Sequence, residues 1–400
     1  MEIAFFTDSY LPIHDGVAKE THALARAVRR LGHGVTVFTA QPSGPSVPKE
    51  EEIDGVPIVR SRSLPVPFYN QYRWALFPFR RLRQRLQDRV DVVHLFSQGM
   101  MGNAGLLVGR RLRRPVLGTF NTDIYAMRTS FPRTYPVRLF FRVARLWTLG
   151  LYYRCDLTTA PSGHARQALL EHASKPWRRP IEVVENGVEL DRFHPGIDEP
   201  DWRERCGLGR EPMVTFLSRL TSDKGVHRFL DAVERLPALL PFTAVIGGVG
   251  PEAASMRQRI AASRYLSQRV RYLGPIAEEE KPALLAQSDL LVLPSTSDTA
   301  SIVMLEAMAC GACGVASNVG GPAAIVQDGR TGRLVPPEPG PLSRAIGELL
   351  ADPGQRHRLA ANGTQWVRSE ASIERSARRF ISLYSLLLEE RGIPAARSTG

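Results

Sequence analysis

The sequence predicts an α/β protein of two Rossmann-like domains, and three observations carry that prediction. Short β-rich runs alternate with helical periodicity from end to end, the series restarts near the middle, and 400 residues suffice for two cores. The opening run MEIAFFTD reads as a strand, followed by the loop SYLPIHDG. In VAKETHALARAVRRLGH, Val17, Leu24, Ala27, Val28 and Leu31 recur on one helical face, and Gly32 and Gly34 close that helix. GVTVFTA, VDVVHLF, PVLGTF, DLTTAPS and IEVVENGV continue the strand series, each bounded by polar residues, Pro or Gly. A second set runs through MVTFLS, FTAVIGG, VRYLG, DLLVLPS, GVASN and GRLVPP.

Pro195, Pro200 and acidic residues interrupt the pattern between Arg192 and Gly209, so the domains are expected at 1–195 and 205–372. SIERSARRFISLYSLLLEERG predicts one long terminal helix over about 373–391, and residues 392–400 an unstructured tail.

Hydrophobic residues make up 43% and charged residues 23%, values of an ordinary globular chain. No apolar stretch approaches the roughly 18 to 20 residues that a membrane span requires. The N-terminus has no basic leader, which predicts a cytoplasmic protein. Four cysteines are too few for a disulfide framework in a chain of this length. Cys310 and Cys313 form C-x-x-C without a second pair or a His cluster, so small-residue packing is expected there rather than zinc.

The net charge of +12 is uneven: residues 1–180 carry 27 Lys+Arg against 13 Asp+Glu, residues 181–400 carry 25 against 27. Much of the excess lies in Tyr69 to Arg89 and Tyr135 to Arg154, which interleave arginine with aromatics. Such stretches suit an anionic membrane surface, an anionic acceptor or nucleic acid, and equally two amphipathic helices with solvated arginines. No nucleic-acid-binding module is recognisable, and none is expected as a partner.

Two constellations carry chemistry. Glu306 sits inside an apolar helical run after the strand DLLVLPS, with Asp298 eight residues earlier. Desolvating an unpaired carboxylate costs several kcal/mol or more, so Glu306 must meet hydroxyls, a cation or a ligand; a core ion pair is the plain alternative. Arg219 and Lys224, just past MVTFLS and ahead of a helix, can hold a diphosphate with helix amides, or be a solvated turn. The first β-α turn has Asp15-Gly16 in place of G-x-G-x-x-G, which argues against a nicotinamide cofactor.

The segments FFTDSYLPIHDGV, VVENGVELDRFHP, FLSRLTSDKGV, GGVGPE and SDTASIVMLEAMACG, followed by GG and DGRTGRLV, resemble the retaining nucleotide-sugar glycosyltransferases of family 4. The resemblance spans nearly the whole chain in motif order. It implies the GT-B fold, two Rossmann-like domains facing each other across a donor/acceptor cleft, with the terminal helix packing back on the N-terminal domain. By it, Arg219 and Lys224 hold the diphosphate of a nucleoside-diphosphate sugar, Glu306 binds the ribose and Asp298 lies beside the sugar. Backbone at Thr299, Ala300, Ser301 and Ile302 contacts phosphate and sugar, and Gly16 lets the first loop approach the phosphate or acceptor. Asp298 replaces a commoner Glu, Ala300-Ser301 a commoner Phe-Gly, and Asn121 a histidine frequent near the reacting carbon; Ser218 and Val249 also depart, from common Gly and Asp. The implied reaction moves a hexose-type sugar to an acceptor hydroxyl without a cofactor or an obligatory metal. A lipid or membrane-interface acceptor suits the basic aromatic stretches and a peripheral location at the inner membrane face. A small soluble acceptor and a non-catalytic nucleotide-sugar-binding protein are the alternatives.

Overall fold

The computed structural model describes the chain apart from residues 14, 43–46, 66–72, 77–78, 88, 126–134, 174, 198, 200 and 394–400, and apart from the side chains of 79–81, 83, 135 and 136. It forms two compact units, Met1–Gly187 with Ile373–Gly400, and Val188–Ser372.

The strands of the first unit are β1 (Glu2–Phe6), β2 (Gly34–Ala40), β3 (Glu50–Ile53), β4 (Val56–Ser61), β5 (Ser63–Pro65), β6 (Arg73–Ala75), β7 (Val92–Leu95), β8 (Val116–Thr119), β9 (Leu157–Ala160) and β10 (Glu182–Val183). Eight make one sheet in the order β10-β9-β8-β7-β1-β2-β4-β3, and β5 pairs with β6 separately. Every pair in the large sheet is parallel except β3 with β4, an edge hairpin turned by Asp54 and Gly55 at φ 51° and 78°. β7, β8 and β9 are buried along their whole length, as expected of parallel strands covered on both faces.

The first helix, Gly16–Arg30, starts where Asp15 accepts from the Ala18 N–H at 2.8 Å, and it ends at Leu31 before Gly32 at φ 83°. The last helix, Ile373–Glu389, buries Ile373, Ala377, Phe380, Tyr384, Leu387 and Leu388 in the same core as Leu24 and Val28. Its spacing of three and four residues supplies the apolar stripe that this packing needs. Tyr384 Oη also meets His94 Nδ1 at 2.7 Å under the sheet. The helix is capped by the Ile393 N–H on the Leu388 carbonyl, so residues 392 and 393 of the expected tail are ordered; the rest of it lies outside the described residues.

The second unit has β11 (Met213–Leu217), β12 (Thr243–Gly247), β13 (Val270–Gly274), β14 (Leu290–Leu293), β15 (Cys313–Ser317) and β16 (Gly332–Val335). They form an all-parallel sheet in the order β13-β12-β11-β14-β15-β16. Val188, Phe193 and Trp202 pack into this unit's core, so the Pro-interrupted stretch 192–209 lies inside it. Among the described residues, no helix is long and apolar enough to cross a membrane.

Candidate functional site

In the second sheet the chain leaves β11 towards β12 on one side and reaches β14 on the other, so strand order reverses between β11 and β14. Loops leaving the carboxyl ends of two such strands diverge and open a crevice. Here they are residues 218–225 and 294–301, and they are stitched together. The Thr296 N–H donates to the Asp223 carbonyl at 2.9 Å, and Arg228 donates to the carbonyls of Pro294, Ser222 and Asp223 at 3.1 to 3.2 Å. Gly225, at φ 80°, passes so close to the Pro294 carbonyl oxygen that a Cβ would sit 2.6 Å from it.

This stitching brings Lys224 to Asp298. The ammonium lies 3.1 Å from Oδ2 and 3.3 Å from the Ser297 carbonyl, with both side chains largely buried. Arg219, exposed, is on the same loop. Helix Ile302–Ala309 follows, with Ser301 at its N-cap position but no side-chain cap. Ser301 Oγ is buried and makes no hydrogen bond. An uncapped helix start offers backbone N–H donors and partial positive charge to an anion.

Two glycine pairs shape the loops around this point. The Gly321 N–H donates to the Asp298 carbonyl at 2.7 Å, and a Cβ on Gly321 would lie 2.8 Å from the Cα and N of Ala300. The loop after β12 fits against Ser218 and Leu220 in the same way, with Gly248 at φ 128° and the Leu220 N–H donating to the Val249 carbonyl at 2.8 Å. Arg219, Lys224, Asp298, Thr299, Ala300, Ser301 and Ile302 therefore share one edge of one sheet. Asp298 is already partnered by Lys224, a pairing that spacing in the sequence did not indicate.

Glu306 lies further along the same helix, 5% exposed, and Lys281 donates to its two carboxylate oxygens at 2.7 and 2.8 Å. The cation that a buried carboxylate requires is thus Lys281, itself 6% exposed.

Gly16 and Asn121 belong to the first unit, also at carboxyl ends of strands. Gly16 opens the first helix, and Asn121 follows β8, where its Nδ2 donates to the Phe96 carbonyl at 3.2 Å. Two residues on, Asp123 meets His172 Nε2 at 3.1 Å; the Tyr125 ring lies edge-on to that imidazole, 5.0 Å away. Sequence reading passed over this pair and over Lys281. The only trace of the first was an acid within NTD, and His172, far along the chain, carried none.

Cys310 and Cys313 are free and buried, and burial pushes both thiols up to about 12. Among the described residues no group of three or more His, Cys, Asp or Glu side chains gathers.

Comparison with known proteins places both halves. The profile of glycosyl transferases group 1 matches residues 198–366, and that of glycosyltransferase family 4 matches residues 14–192. The chain is 28% identical over 375 residues to a GDP-mannose-dependent alpha-mannosyltransferase of Mycobacterium tuberculosis, covering 92% of this chain and 93% of that protein. It is 36% identical over 198 residues to a GDP-mannose-dependent alpha-(1-6)-phosphatidylinositol monomannoside mannosyltransferase of Mycolicibacterium smegmatis, covering 47% of this chain and 51% of the other. Among solved structures, Anabaena HepE in complex with UDP and glucose aligns with a TM-score of 0.75 at 22% identity, covering 96% of this chain and all of the other. That likeness is one of fold.

Proposed function

Because the chain belongs to glycosyltransferase family 4, the nucleotide-sugar transferases of GT-B fold, we propose that it moves a hexose-type sugar with retention from a nucleoside diphosphate to a lipid-borne hydroxyl. The observation that carries the donor half of this reading is the Lys224–Asp298 pair beside the uncapped start of helix Ile302–Ala309, at the sheet's switch point. Lys224, Arg219 and the helix amides offer fixed positive charge where a diphosphate departs, the kind of preorganised stabilisation that lowers a barrier. In the reaction, the bond from sugar C1 to the phosphate oxygen breaks while the acceptor oxygen bonds C1 on the same face. The acceptor's proton passes to the leaving phosphate, so no protein nucleophile is required. No metal is assigned a role.

The GDP-mannose dependence of the two relatives makes GDP-mannose the donor to test first, against UDP- and TDP-sugars. Arg219→Ala and Lys224→Ala should each weaken GDP binding by about 1.5 to 3 kcal/mol, the scale of a charge-assisted hydrogen bond. Calorimetric titration checks this, and unchanged affinity in a folded double variant removes the assignment.

The acceptor half rests on helix Tyr135–Tyr152. Leu139, Phe140, Val143, Leu146 and Trp147 fall within one stripe of it and are 48 to 62% exposed. Arg138 and Arg142 lie beside the stripe, and residues 124–155 contain no acid. An exposed apolar stripe with arginine at its edge fits the interface of an anionic bilayer. Of the other basic stretch, Arg85 pairs with Glu50, while the side chains of Arg80, Arg81 and Arg83 lie outside the described residues. Changing Leu139, Phe140 and Val143 together to Ser removes apolar contact worth about 1 kcal/mol or more per side chain, so partition into anionic phospholipid vesicles should fall at least about tenfold. A wild-type chain that ignores such vesicles at low salt would move the acceptor into solution.

A further inference from the structure

The ion pair Lys281–Glu306 is an unusual thing to find at this depth. Lys281 is the first residue of helix Lys281–Ala286, where the helix dipole disfavours a cation. It is nonetheless buried, with Glu278 at 3.4 Å and Glu306 at 2.7 Å. Burial pushes the ammonium down, yet Glu306 and Glu278 push it up by more, so it stays charged. Charge in such surroundings is costly, and well-packed apolar residues of similar volume commonly serve stability as well or better. The geometry of the pair suggests what the charges do. Nζ is nearly equidistant from the two Glu306 oxygens, which places it close to the carboxylate's bisector. An ionised carboxylate accepts about four hydrogen bonds, and this contact uses one site on each oxygen, leaving acceptor capacity on both. Two neighbouring hydroxyls are the donor set that fits.

We propose that Lys281 is a positioning residue for donor binding: it holds the Glu306 carboxylate in one orientation so that both oxygens accept from the vicinal hydroxyls of the donor's ribose. The inference rests on the reading that Glu306 meets that ribose, and adds what makes it able to. Lys281 itself touches no substrate. Its replacement acts through the carboxylate: without the ammonium to hold both oxygens, the Glu306 side chain is free to turn, and the pair of acceptors no longer faces a diol.

The test compares GDP with 2′,3′-dideoxy-GDP by calorimetric titration of the full chain. Wild type should prefer GDP by about tenfold or more, the scale of a hydrogen bond to a charged group. Glu306→Gln and Lys281→Met should both lose most of that preference, and Lys281→Arg, which keeps the charge, should recover a substantial part. In steady-state transfer, Lys281→Met should raise the donor KM with little change in kcat. If Lys281→Met fails to fold, Lys281→Gln is read in the same way. A Lys281 variant that binds GDP more weakly but keeps the full preference over the dideoxy nucleotide makes the pair structural and overturns the proposal. If Glu306→Gln also keeps the preference, the ribose reading of Glu306 is what has failed.

Discussion

Gly321→Ala is expected to lower sugar transfer about a hundredfold while costing only about 1 to 3 kcal/mol of stability. Gly321 has φ −59°, a conformation any residue adopts, so the penalty is purely steric. The added methyl would lie 2.8 Å from two backbone atoms of Ala300 and 2.9 Å from the Thr299 carbonyl carbon. Backbone cannot rotate aside as a side chain does, so the 298–301 loop must give way. That loop carries Asp298 and leads into the start of helix Ile302–Ala309, and a displacement near 1 Å there misplaces each group that would meet the diphosphate. Gly329→Ala is the control. It adds strain at φ 68° but has nothing within 4 Å of the new methyl, so it should cost about 1 kcal/mol and leave transfer intact. Turnover and thermal unfolding of both variants decide the matter. Equal activity in the two would mean that the 298–301 loop is not where the reaction is organised.

Where local signals and tertiary context agreed, the sequence was readable. All twelve expected strands form, and the most legible were fully buried parallel strands such as LLVL, a continuous apolar run, and MVTFL, apolar but for Thr215. The place in the fold of the proposed donor-side residues was legible for a related reason. At a switch point the chemistry sits in the loops directly after two strands, so finding β11 and β14 also located Arg219, Lys224 and Asp298. Gly320-Gly321 and the glycines after β12 were visible as motifs, but their role was not: close approach to Ala300 or Ser218 is a fact of three-dimensional packing.

What escaped had weak or misleading local chemistry. Lys281 follows three glutamates in EEEK, which reads as a solvated charge run, and only the packing of its helix beside Ile302–Ala309 buries it. The strand Glu50–Ile53 has the sequence EEEI, poor in β-branched residues, and exists because β4 offers it an edge. Asp298 shows the same limit from the other side. Its spacing to Glu306 was plain, yet its partner Lys224 is 74 residues earlier and is brought near only by the hydrogen bonds between two loops.

Acid should weaken the first unit through His94, and the effect is expected to be large. The imidazole is fully buried, between the rings of Phe5, Phe96 and Phe380, and burial holds its pKa well below the ordinary value of 6.5. Its hydrogen-bonding neighbours are hydroxyls, Tyr384 at 2.7 Å on Nδ1 and Thr119 at 2.6 Å on Nε2, with Thr159 beyond Thr119. Hydroxyls can serve either neutral tautomer, but they bring no negative charge to balance a proton. The sign follows from linkage. Above the unfolded pKa both states are neutral and His94 contributes no pH dependence; below it the unfolded chain binds a proton that the folded one refuses, so stability falls as pH falls. Below the unfolded pKa the slope approaches about 1.4 kcal/mol per pH unit, one proton's worth, over a range from about pH 6.5 to about 4.5. Urea midpoints followed by circular dichroism across that range measure it. His94→Phe keeps a ring among rings, and although it strands two hydroxyls and lowers stability at every pH, it should flatten the acid slope by about one proton's worth. A variant with the wild-type slope would show that other groups bind the proton.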